Sequence, residues 1–509
     1  MAHQNPNTIS NFSQSWQRAT YFRELDFQSK ASVPLAETTA SEKDQGKFGQ
    51  EYPTNSTLCR ISLSLSPPSY GTITHGSSQS TAATTHLSNL IAKEEGDKLD
   101  DLGRSTVLMT VFNCTNMLVG VGTLSLALAF RQCGWIIGTT LLTLPVPVAM
   151  YTAKLLVKCL DADQSTFTYG DIAHLAYGSL GRHSVEALFG CELIAANAAL
   201  FILFADSFGS LASCLAPHIC KIIIATIMIP LNFAPFRILS ITSAIGIFCF
   251  IGILTILMTA GVTKQNAPGS LLDLARTSAT PYSWKAVPTS MGIFMAPWGA
   301  HSMVPAAYRD MRHPRKYNKA LGCTYSMCYL IALSMATLGY LMFGNAVLPE
   351  VTSSILSISE YPPIISAITL MVVTTIPLTK ISLNNRPVID AVNRKFGIHH
   401  QQIDSKPSQS QKDQKLHRLM RLGVGIMCNL LELALAVAIP NFGQLVALLG
   451  SGFCITISVI LPALFYLRIC REKHITVPTF DRMVCWALIF IGTICAVSGT
   501  TSMILEDKR

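Results

Sequence analysis

The stretch Asn116-Met-Leu-Val-Gly120-Val-Gly122-Thr-Leu-Ser125 lies inside the first long apolar segment of the chain, residues 107–130. A segment of this length is enough for one helix to cross a bilayer. Its two glycines each cost about 1 kcal/mol relative to alanine in a helix interior. Either they allow close packing of neighbouring helices, or the helix opens here. Because hydrocarbon tolerates an open helix only where protein or water satisfies the freed backbone groups, an opening predicts a site inside the protein.

The composition indicates a polytopic helical membrane protein. The 509 residues are 50% hydrophobic and 13% charged, whereas soluble domains carry about 25% charged residues. The net charge of +9 does not predict nucleic-acid binding, because the basic residues lie in short loops between apolar segments. The 15 cysteines are scattered without any Cys-x-x-Cys pair. This is typical of small buried hydrophobes and not of a disulfide or metal framework.

The chain divides into two regions. Residues 1–101 are polar, rich in Ser, Thr, Gln and Asn, and without helical periodicity, which predicts a disordered cytosolic region. No cleavable signal peptide is predicted, and the sequence does not identify protein partners of this region. Its Asn55-Ser-Thr57 sequon is then expected to face the cytosol and stay unmodified. Residues 102–509 form the predicted transmembrane domain.

The transmembrane domain contains eleven predicted spans. Their approximate bounds are 107–130, 134–160, 185–214, 219–233, 238–262, 287–307, 320–343, 363–383, 419–439, 442–467 and 483–505.

Loop charges predict the orientation of these spans. With a cytosolic amino terminus, the loops after the sixth, eighth and tenth spans are cytosolic, and all three are rich in Lys and Arg, as the positive-inside rule requires. The loop between the seventh and eighth spans carries Glu350 and Glu360 without Lys or Arg, so it lies on the far side, as does the carboxyl terminus. The loop between the fifth and sixth spans is the exception, because it holds Lys264, Arg276 and Lys285.

A second interruption lies in the sixth span, at Pro297 and Gly299, with Pro305 further on. Proline removes an amide donor and clashes with the preceding helical turn. Glycine and proline interruptions at corresponding positions of two halves indicate a transporter binding site near the membrane midplane. The pattern therefore predicts a 5+5 inverted repeat with one extra helix, in which helices 1 and 6 are broken.

The two openings predict a receptor for a neutral zwitterion. The freed amides of residues 121–125 would start a helix, and a helix amino terminus favours a carboxylate. The freed carbonyls of residues 294–296 would favour an ammonium group. Neither break contains Asp, Glu, Lys or Arg, which indicates a neutral amino acid. The predicted substrate-binding residues are Gly120, Val121, Gly122, Thr123, Phe294, Met295 and Trp298.

Several motifs resemble the amino acid/auxin permease family. The first span matches at Asn116-x-x-x-Gly-Val-Gly-Thr-Leu-Ser125, Ala129-Phe130 and Gly134-Trp135, and the third-span region at Thr168-Tyr-Gly-Asp-Ile172 and Phe204-Ala-Asp-Ser207. Trp298-Gly-Ala-His301-Ser-Met-Val-Pro305, followed by Asp310-Met-Arg-His-Pro314, is similar to a run in the fungal vacuolar amino-acid transporters. The resemblance covers about residues 102–505. It implies eleven helices, the amino-acid/polyamine transporter fold, and proton-coupled amino-acid movement across the vacuolar membrane.

The chain departs from the family pattern at two places. The family has Leu-Pro-Tyr-Ala-Phe where this chain has Leu-Ala127-Leu128-Ala-Phe130, and it has glycine where this chain has Ala300. These departures bear on which amino acid is bound and on whether transport activity is retained.

Polar residues inside the spans are the candidates for ion or proton coupling. Asn116, Thr374 and Thr375 (with Thr379) are candidates for a cation site, because relatives that use sodium resemble the chain at Asn116. The alternatives are an interhelical hydrogen bond for Asn116 and bonds to their own helix for the threonines.

His301 and Glu192 are the candidates for protonation. An unperturbed histidine titrates near pH 6.5, which suits an acidic vacuole, although a neutral histidine that fixes the local fold is equally consistent. Intramembrane carboxylates indicate a functional site or an ion pair; Asp206 lies near a span end, where water can solvate it, and Glu432 has no evident partner in the sequence. Lys380 is expected to snorkel to the cytosolic face.

The hypothesis from the sequence is a secondary active transporter that moves neutral amino acids across the vacuolar membrane by proton-coupled alternating access. No nucleophile elbow, phosphate-binding loop or metal-ligand spacing is evident, so neither an enzyme, a cofactor nor a metal site is predicted. The expected partners are an amino acid, protons and the lipid bilayer. The alternatives are a sodium-coupled plasma-membrane symporter and an amino-acid sensor that does not transport.

Overall fold

The computed structural model describes residues 105–163, 165–211, 216–233, 236–395 and 411–506. Within these ranges the chain is helical, and its one β-type pairing is an isolated bridge between Ser105 and Met311. The predicted polar region of residues 1–101 lies outside the described residues.

The α-helices of the described residues are numbered α1 to α15 in chain order. The first nine are α1 (Val107–Leu118), α2 (Leu126–Thr143), α3 (Pro145–Ala162), α4 (Tyr169–Leu211), α5 (Pro217–Leu231), α6 (Phe236–Thr263), α7 (Val287–Met295), α8 (Val304–Arg309) and α9 (Tyr317–Phe343). The remaining six are α10 (Val351–Leu356), α11 (Pro363–Lys395), α12 (Gln411–Ala438), α13 (Phe442–Leu448), α14 (Leu461–Glu472) and α15 (Thr479–Glu506).

The predicted class, a polytopic all-helical membrane protein, is confirmed. Eight helical segments of the described residues are long and apolar enough to cross a membrane, as a bilayer span requires. One of them, Val121–Ala162, extends over 42 residues and contains Gly134 at a positive φ of 71°, where the chain bends between the first two predicted spans. The count of eleven spans and the inverted repeat stay predictions.

Both predicted interruptions are present in the backbone. In the first break, residues 119–125, α1 ends at Leu118, Gly120 is extended, and a 3₁₀ turn of residues Val121–Ser125 leads directly into α2. In the second break, residues 296–303, α7 ends at Met295 and two short 3₁₀ turns precede α8. Proline at position 297 and glycine at position 299 explain the second interruption.

One end of the molecule joins α1 to the segment after α8. The Ser105 backbone amide donates to the Asp310 carbonyl at 2.8 Å, and the Arg312 amide donates to the Ser105 carbonyl at 3.0 Å. The Arg309 side chain donates to the carbonyls of Leu160 and Thr166. These bonds hold the starts of α1 and α4 and the ends of α3 and α8 together at the predicted cytosolic end.

The loop that follows α9 covers the other end of the first broken helix. Arg131 Nη1 donates to the Val347 carbonyl at 2.6 Å, and Ser125 Oγ donates to the Pro349 carbonyl at 2.9 Å. At this end Lys264 pairs with Glu360 at 2.7 Å. One of the three basic residues that make the loop between the fifth and sixth predicted spans an exception to the charge rule is thus paired with the acidic loop beside it.

Helix α7 packs closely against the segment between α13 and α14. This segment is π-helical over Leu449–Cys454 and Thr456–Ile460. A Cβ atom on Gly450 would lie 1.6 Å from the Gly292 carbonyl oxygen, so the two backbones approach as only small residues permit.

We expect Gly450→Ala to lower the free energy of unfolding by about 3 kcal/mol, because the backbones must separate to admit the methyl group. Thermal unfolding followed by size-exclusion chromatography measures the effect. Gly423→Ala in α12 is the matched control, since a Cβ there would meet no atom within 4 Å. Equal midpoints for the two variants would contradict this packing.

Candidate functional site

The two breaks lie in contact with each other. A Cβ atom on Gly122 would lie 2.9 Å from Ala296 Cβ and 3.3 Å from Pro297 Cδ. The ring of Phe294, at the end of α7, packs edge-on against Phe130 of α2, with 5.4 Å between ring centroids. Residues that are about 170 positions apart in sequence therefore form a single interrupted region.

The first break presents a helix amino terminus. Gly120, which precedes the 3₁₀ turn, makes no side-chain cap, and a Cβ atom on it would meet only the Leu118 oxygen within 4 Å. Thr123 is buried, and its amide and hydroxyl both donate to the Gly120 carbonyl, at 3.1 Å and 2.7 Å. Since Gly120 and Val121 are half-buried while Gly122 and Thr123 are buried, the accessible backbone of the four predicted residues lies at Gly120 and Val121.

The second break presents carbonyl groups, and two of them are already hydrogen-bonded. Cys454 Sγ lies 3.0 Å from the Met295 carbonyl oxygen, and Ser458 Oγ lies 3.5 Å from that of Trp298. Both side chains belong to the π-helical segment, and π-helical turns are frequent at functional sites. A thiol is a weak donor, which makes the Met295 oxygen a candidate acceptor for a stronger donor that replaces it. The sequence analysis missed Cys454 and Ser458.

The apolar residues predicted to line a pocket are buried among neighbouring helices. Phe294 and Trp298 are fully buried and Met295 is buried, and the indole of Trp298 stacks on Tyr325 with 6.0 Å between ring centroids. In the described part of the chain the Trp298 Nε1 group has no hydrogen-bond partner. A buried donor without a partner costs about 1–3 kcal/mol, which makes this indole a candidate donor to a ligand.

Glu192 of α4 lies beside the second break. Its Oε1 atom would be 3.4 Å from a Cβ atom on Gly299, and Cys454 Sγ would be 3.1 Å from the same position. The half-buried carboxylate therefore faces the interrupted backbone of the helix on which the substrate site was predicted.

His301 is fully buried and connects the second break to α3. Its Nε2 atom lies 2.9 Å from Thr152 Oγ1 and 3.0 Å from the Ala149 carbonyl oxygen. These bonds correspond to the alternative in which the histidine fixes the local fold, and its predicted role in proton coupling stays a prediction.

Two other carboxylates differ in their surroundings. Asp206 is exposed, in agreement with a solvated span end. Glu432 is fully buried in α12 and accepts hydrogen bonds from Asn197 at 2.9 Å and from Asn385 at 3.4 Å. The expectation that Glu432 lacks a partner is wrong, because carboxamides on α4 and α11, far apart in sequence, converge on it.

The threonines of α11 that were predicted as cation ligands bond to their own helix, and the neighbouring Lys380 contacts the first break. The hydroxyls of Thr374 and Thr375 donate to carbonyls of their own helix at 2.7 Å, and Thr379 does the same at 2.8 Å. Lys380 Nζ instead lies 2.8 Å from the Val119 carbonyl oxygen and 3.3 Å from that of Asn116. The expectation that Lys380 snorkels to the cytosolic face is wrong, because its ammonium binds the end of α1 inside the protein. Whether the Asn116 side chain and the threonines take part in coupling stays a prediction.

The departures from the family pattern beside the first break are packing positions. Ala127 and Leu128 are buried. A Cβ atom on Gly339 would lie 2.7 Å from Ala127 Cβ, and one on Gly443 would lie 2.8 Å from Leu128 Cδ2. Both side chains therefore fill close contacts with α9 and with the start of α13. Ala300, at the second place of departure, is half-buried within the second break.

The family model and two similar curated sequences are all described as amino acid transporters. A family model described as "Transmembrane amino acid transporter protein" matches residues 103–505. The amino acid transporter AVT1I of Arabidopsis thaliana is 26% identical over 384 residues, which cover 73% of this chain and 88% of that protein. AVT1B of the same plant is 27% identical over 407 residues, which cover 78% of this chain and 70% of that protein.

Solved structures of transporters show a weaker similarity. MhsT in complex with L-phenylalanine has a TM-score of 0.47 and 12% identity, covering 77% of this chain and 98% of that chain. The manganese transporter of Eremococcus coleocola has a TM-score of 0.48 and 14% identity, covering 78% of this chain and 85% of that chain.

We expect Gly122→Ala to weaken amino-acid binding about tenfold, because its methyl group forces the two breaks apart at a cost of about 1–3 kcal/mol. The measurement is equilibrium binding of tritiated neutral amino acids to purified protein. Ala296→Gly removes the clashing Cβ, so the double variant Gly122→Ala/Ala296→Gly should recover part of the affinity. Binding by Gly122→Ala at the affinity of the unmodified protein would show that the contact between the breaks is not part of the site.

Proposed function

The chain belongs to the family of transmembrane amino acid transporter proteins, and from this premise we propose that it moves neutral amino acids across the vacuolar membrane, coupled to protons by alternating access. Membership in the family makes the chain an amino acid transporter by class and confirms the prediction that it is not an enzyme. What we propose beyond family membership is that the substrates are neutral, that protons are the coupling ion and that the membrane is vacuolar.

The contact between the first and second breaks carries the proposal. Neither residues 119–125 nor residues 296–303 include Asp, Glu, Lys or Arg. Two groups of opposite charge approach the breaks, the Lys380 ammonium at the first and the Glu192 carboxylate at the second, and these two formal charges cancel. A site without net charge favours a substrate without net charge, and an amino acid with a neutral side chain meets this condition.

The backbone suggests how such a substrate is oriented. Its carboxylate would accept hydrogen bonds from the accessible amides at Gly120 and Val121, where the dipole of the 3₁₀ turn and α2 is positive. Its ammonium group would donate to the Met295 carbonyl. The indole of Trp298 supplies a further donor near the second break.

Alternating access requires that each end of the broken helices be released in turn. The bonds of Ser105 with Asp310 and Arg312 hold one end. The bonds from Ser125 to Pro349 and from Arg131 to Val347 hold the other. Each set consists of a few hydrogen bonds, and each such bond contributes only about 0.5–1.5 kcal/mol net, so either end can open without unfolding of the scaffold.

The resemblance of the sixth span to fungal vacuolar transporters supports the vacuolar location, and the loop charges support a cytosolic amino terminus. Glu192 is the proposed proton carrier, since it is the carboxylate beside the second break. The sodium-coupled alternative is disfavoured because the Lys380 ammonium already binds the carbonyls at the end of α1.

Reconstituted vesicles test the proposal. We expect several of the twenty amino acids, all with neutral side chains, to accumulate when a pH gradient is imposed, and their uptake to be unchanged when sodium is replaced by choline. Accumulation that needs sodium supports the symporter alternative. Binding without exchange across the membrane supports the sensor alternative and contradicts the proposal.

We expect Glu192→Gln to abolish accumulation driven by the pH gradient while exchange of labelled for unlabelled amino acid continues, because the amide keeps the shape but cannot take up a proton. His301→Gln is the matched comparison, since a histidine that fixes the fold lowers both activities together. Gradient-driven accumulation that survives in Glu192→Gln would remove this carboxylate from the coupling step.

A further inference from the structure

The end of helix α1 exposes carbonyl groups that the helix itself does not satisfy. The last carbonyls of any helix lack partners within it, and here the extended backbone at Gly120 prevents continuation of the helical bonding. This end also carries the negative pole of the helix dipole, which attracts a cation. A group that binds these carbonyls lies directly before the residues whose amides open the first break.

The cation that occupies this position is the side chain of Lys380. Its Nζ atom lies 2.8 Å from the Val119 oxygen and 3.3 Å from the Asn116 oxygen. We infer that this ammonium is a tethered cation that completes the amino-acid site in place of a free coupling cation, an inference that rests on the proposed function. Lys380 thereby acts as a positioning residue, because it holds the carbonyl side of the first break while the substrate binds the amide side.

The surroundings of Lys380 fix its ammonium group in place. Its stem passes Gly246 of α6, where a Cβ atom would lie 3.5 Å from Lys380 Cε. The ammonium also lies 5.1 Å from the centre of the Phe250 ring, a distance typical of a cation–π contact. Two carbonyls and an aromatic face surround the charge, as a bound cation requires.

The threonines that precede Lys380 do not supply the same position with oxygen ligands. Thr375 and Thr379 donate their hydroxyl protons to carbonyls of their own helix. Helix α11 therefore contributes an ammonium group to the end of α1. A second monovalent cation at this position would be repelled by the first, so amino-acid binding should not need sodium or potassium.

A lysine elsewhere in the molecule provides the comparison. Lys221 of α5 is buried, and its Nζ donates to the Ala436 carbonyl at 2.7 Å. This bond joins α5 to α12, and neither helix carries a break residue. Loss of Lys221 thus reproduces the loss of a buried ammonium–carbonyl bond without touching the first break.

The test is equilibrium binding of a mixture of tritiated L-alanine, L-glutamine, L-leucine and L-tyrosine to purified full-length protein in sodium, potassium or choline chloride. We expect the unmodified protein to bind with the same affinity in all three salts. Lys380→Ala should bind at least about tenfold more weakly in choline, because a charge-assisted hydrogen bond is lost. Propylammonium or sodium should restore its binding, since either can occupy the position left by the side chain.

Two further variants separate charge from packing. Lys380→Met fills the space without a charge and should stay weak in every salt, while Lys221→Ala should show no dependence on the cation. Sodium-dependent binding by the unmodified protein would overturn the inference. So would Lys380→Ala that binds normally in choline, or that no cation restores.

Thermal unfolding provides a readout that does not need the substrate. Propylammonium should raise the unfolding midpoint of Lys380→Ala and leave that of Lys380→Met unchanged. If the unmodified protein binds none of the amino acids, the proposed function fails, and this midpoint shift still decides whether a cation occupies the position. Equal responses of the two variants would overturn the inference.

Discussion

The approach of Gly122 to Ala296 is the constraint on which the site depends. Two helices, each interrupted where a membrane helix would normally be continuous, approach each other at Gly122, beside the methyl group of Ala296 and the ring of Pro297. Freed amides and carbonyls are costly in hydrocarbon unless protein, water or ligand satisfies them. The contact brings the amides of one interrupted helix close to the carbonyls of the other.

Charge near the two breaks comes from neighbouring helices. Lys380 reaches the first break from α11, and Glu192 reaches the second from α4. The breaks themselves contain no Asp, Glu, Lys or Arg, so in the proposed function backbone dipoles orient the substrate while the side chains around them set the net charge. If Glu192 is the proton carrier, as proposed, this separation lets it change its protonation without loss of the backbone groups that would recognise the substrate.

The sequence predicts what depends on local pattern. Gly122 and Pro297 each predict a break, because the effect of these residue types on a helix backbone is intrinsic. The length of the apolar segments predicts a membrane protein. The partners of Glu432, the thiol of Cys454 on the Met295 carbonyl and the ammonium of Lys380 on α1 could not be predicted. The contacts of Glu432 with Asn197, of Cys454 with Met295 and of Lys380 with Val119 each join residues more than 150 positions apart, and no periodicity within a single helix encodes them.

The position of Lys380 also explains why its snorkelling was a reasonable but wrong expectation. A lysine near a span end lowers its energy by reaching water, unless a nearer acceptor with negative potential exists. The break in α1 creates that acceptor, since Val119 and Asn116 offer carbonyls at the negative pole of a helix. The interruption of α1 therefore determines the direction of the Lys380 side chain on α11, and with it the positive charge beside the first break.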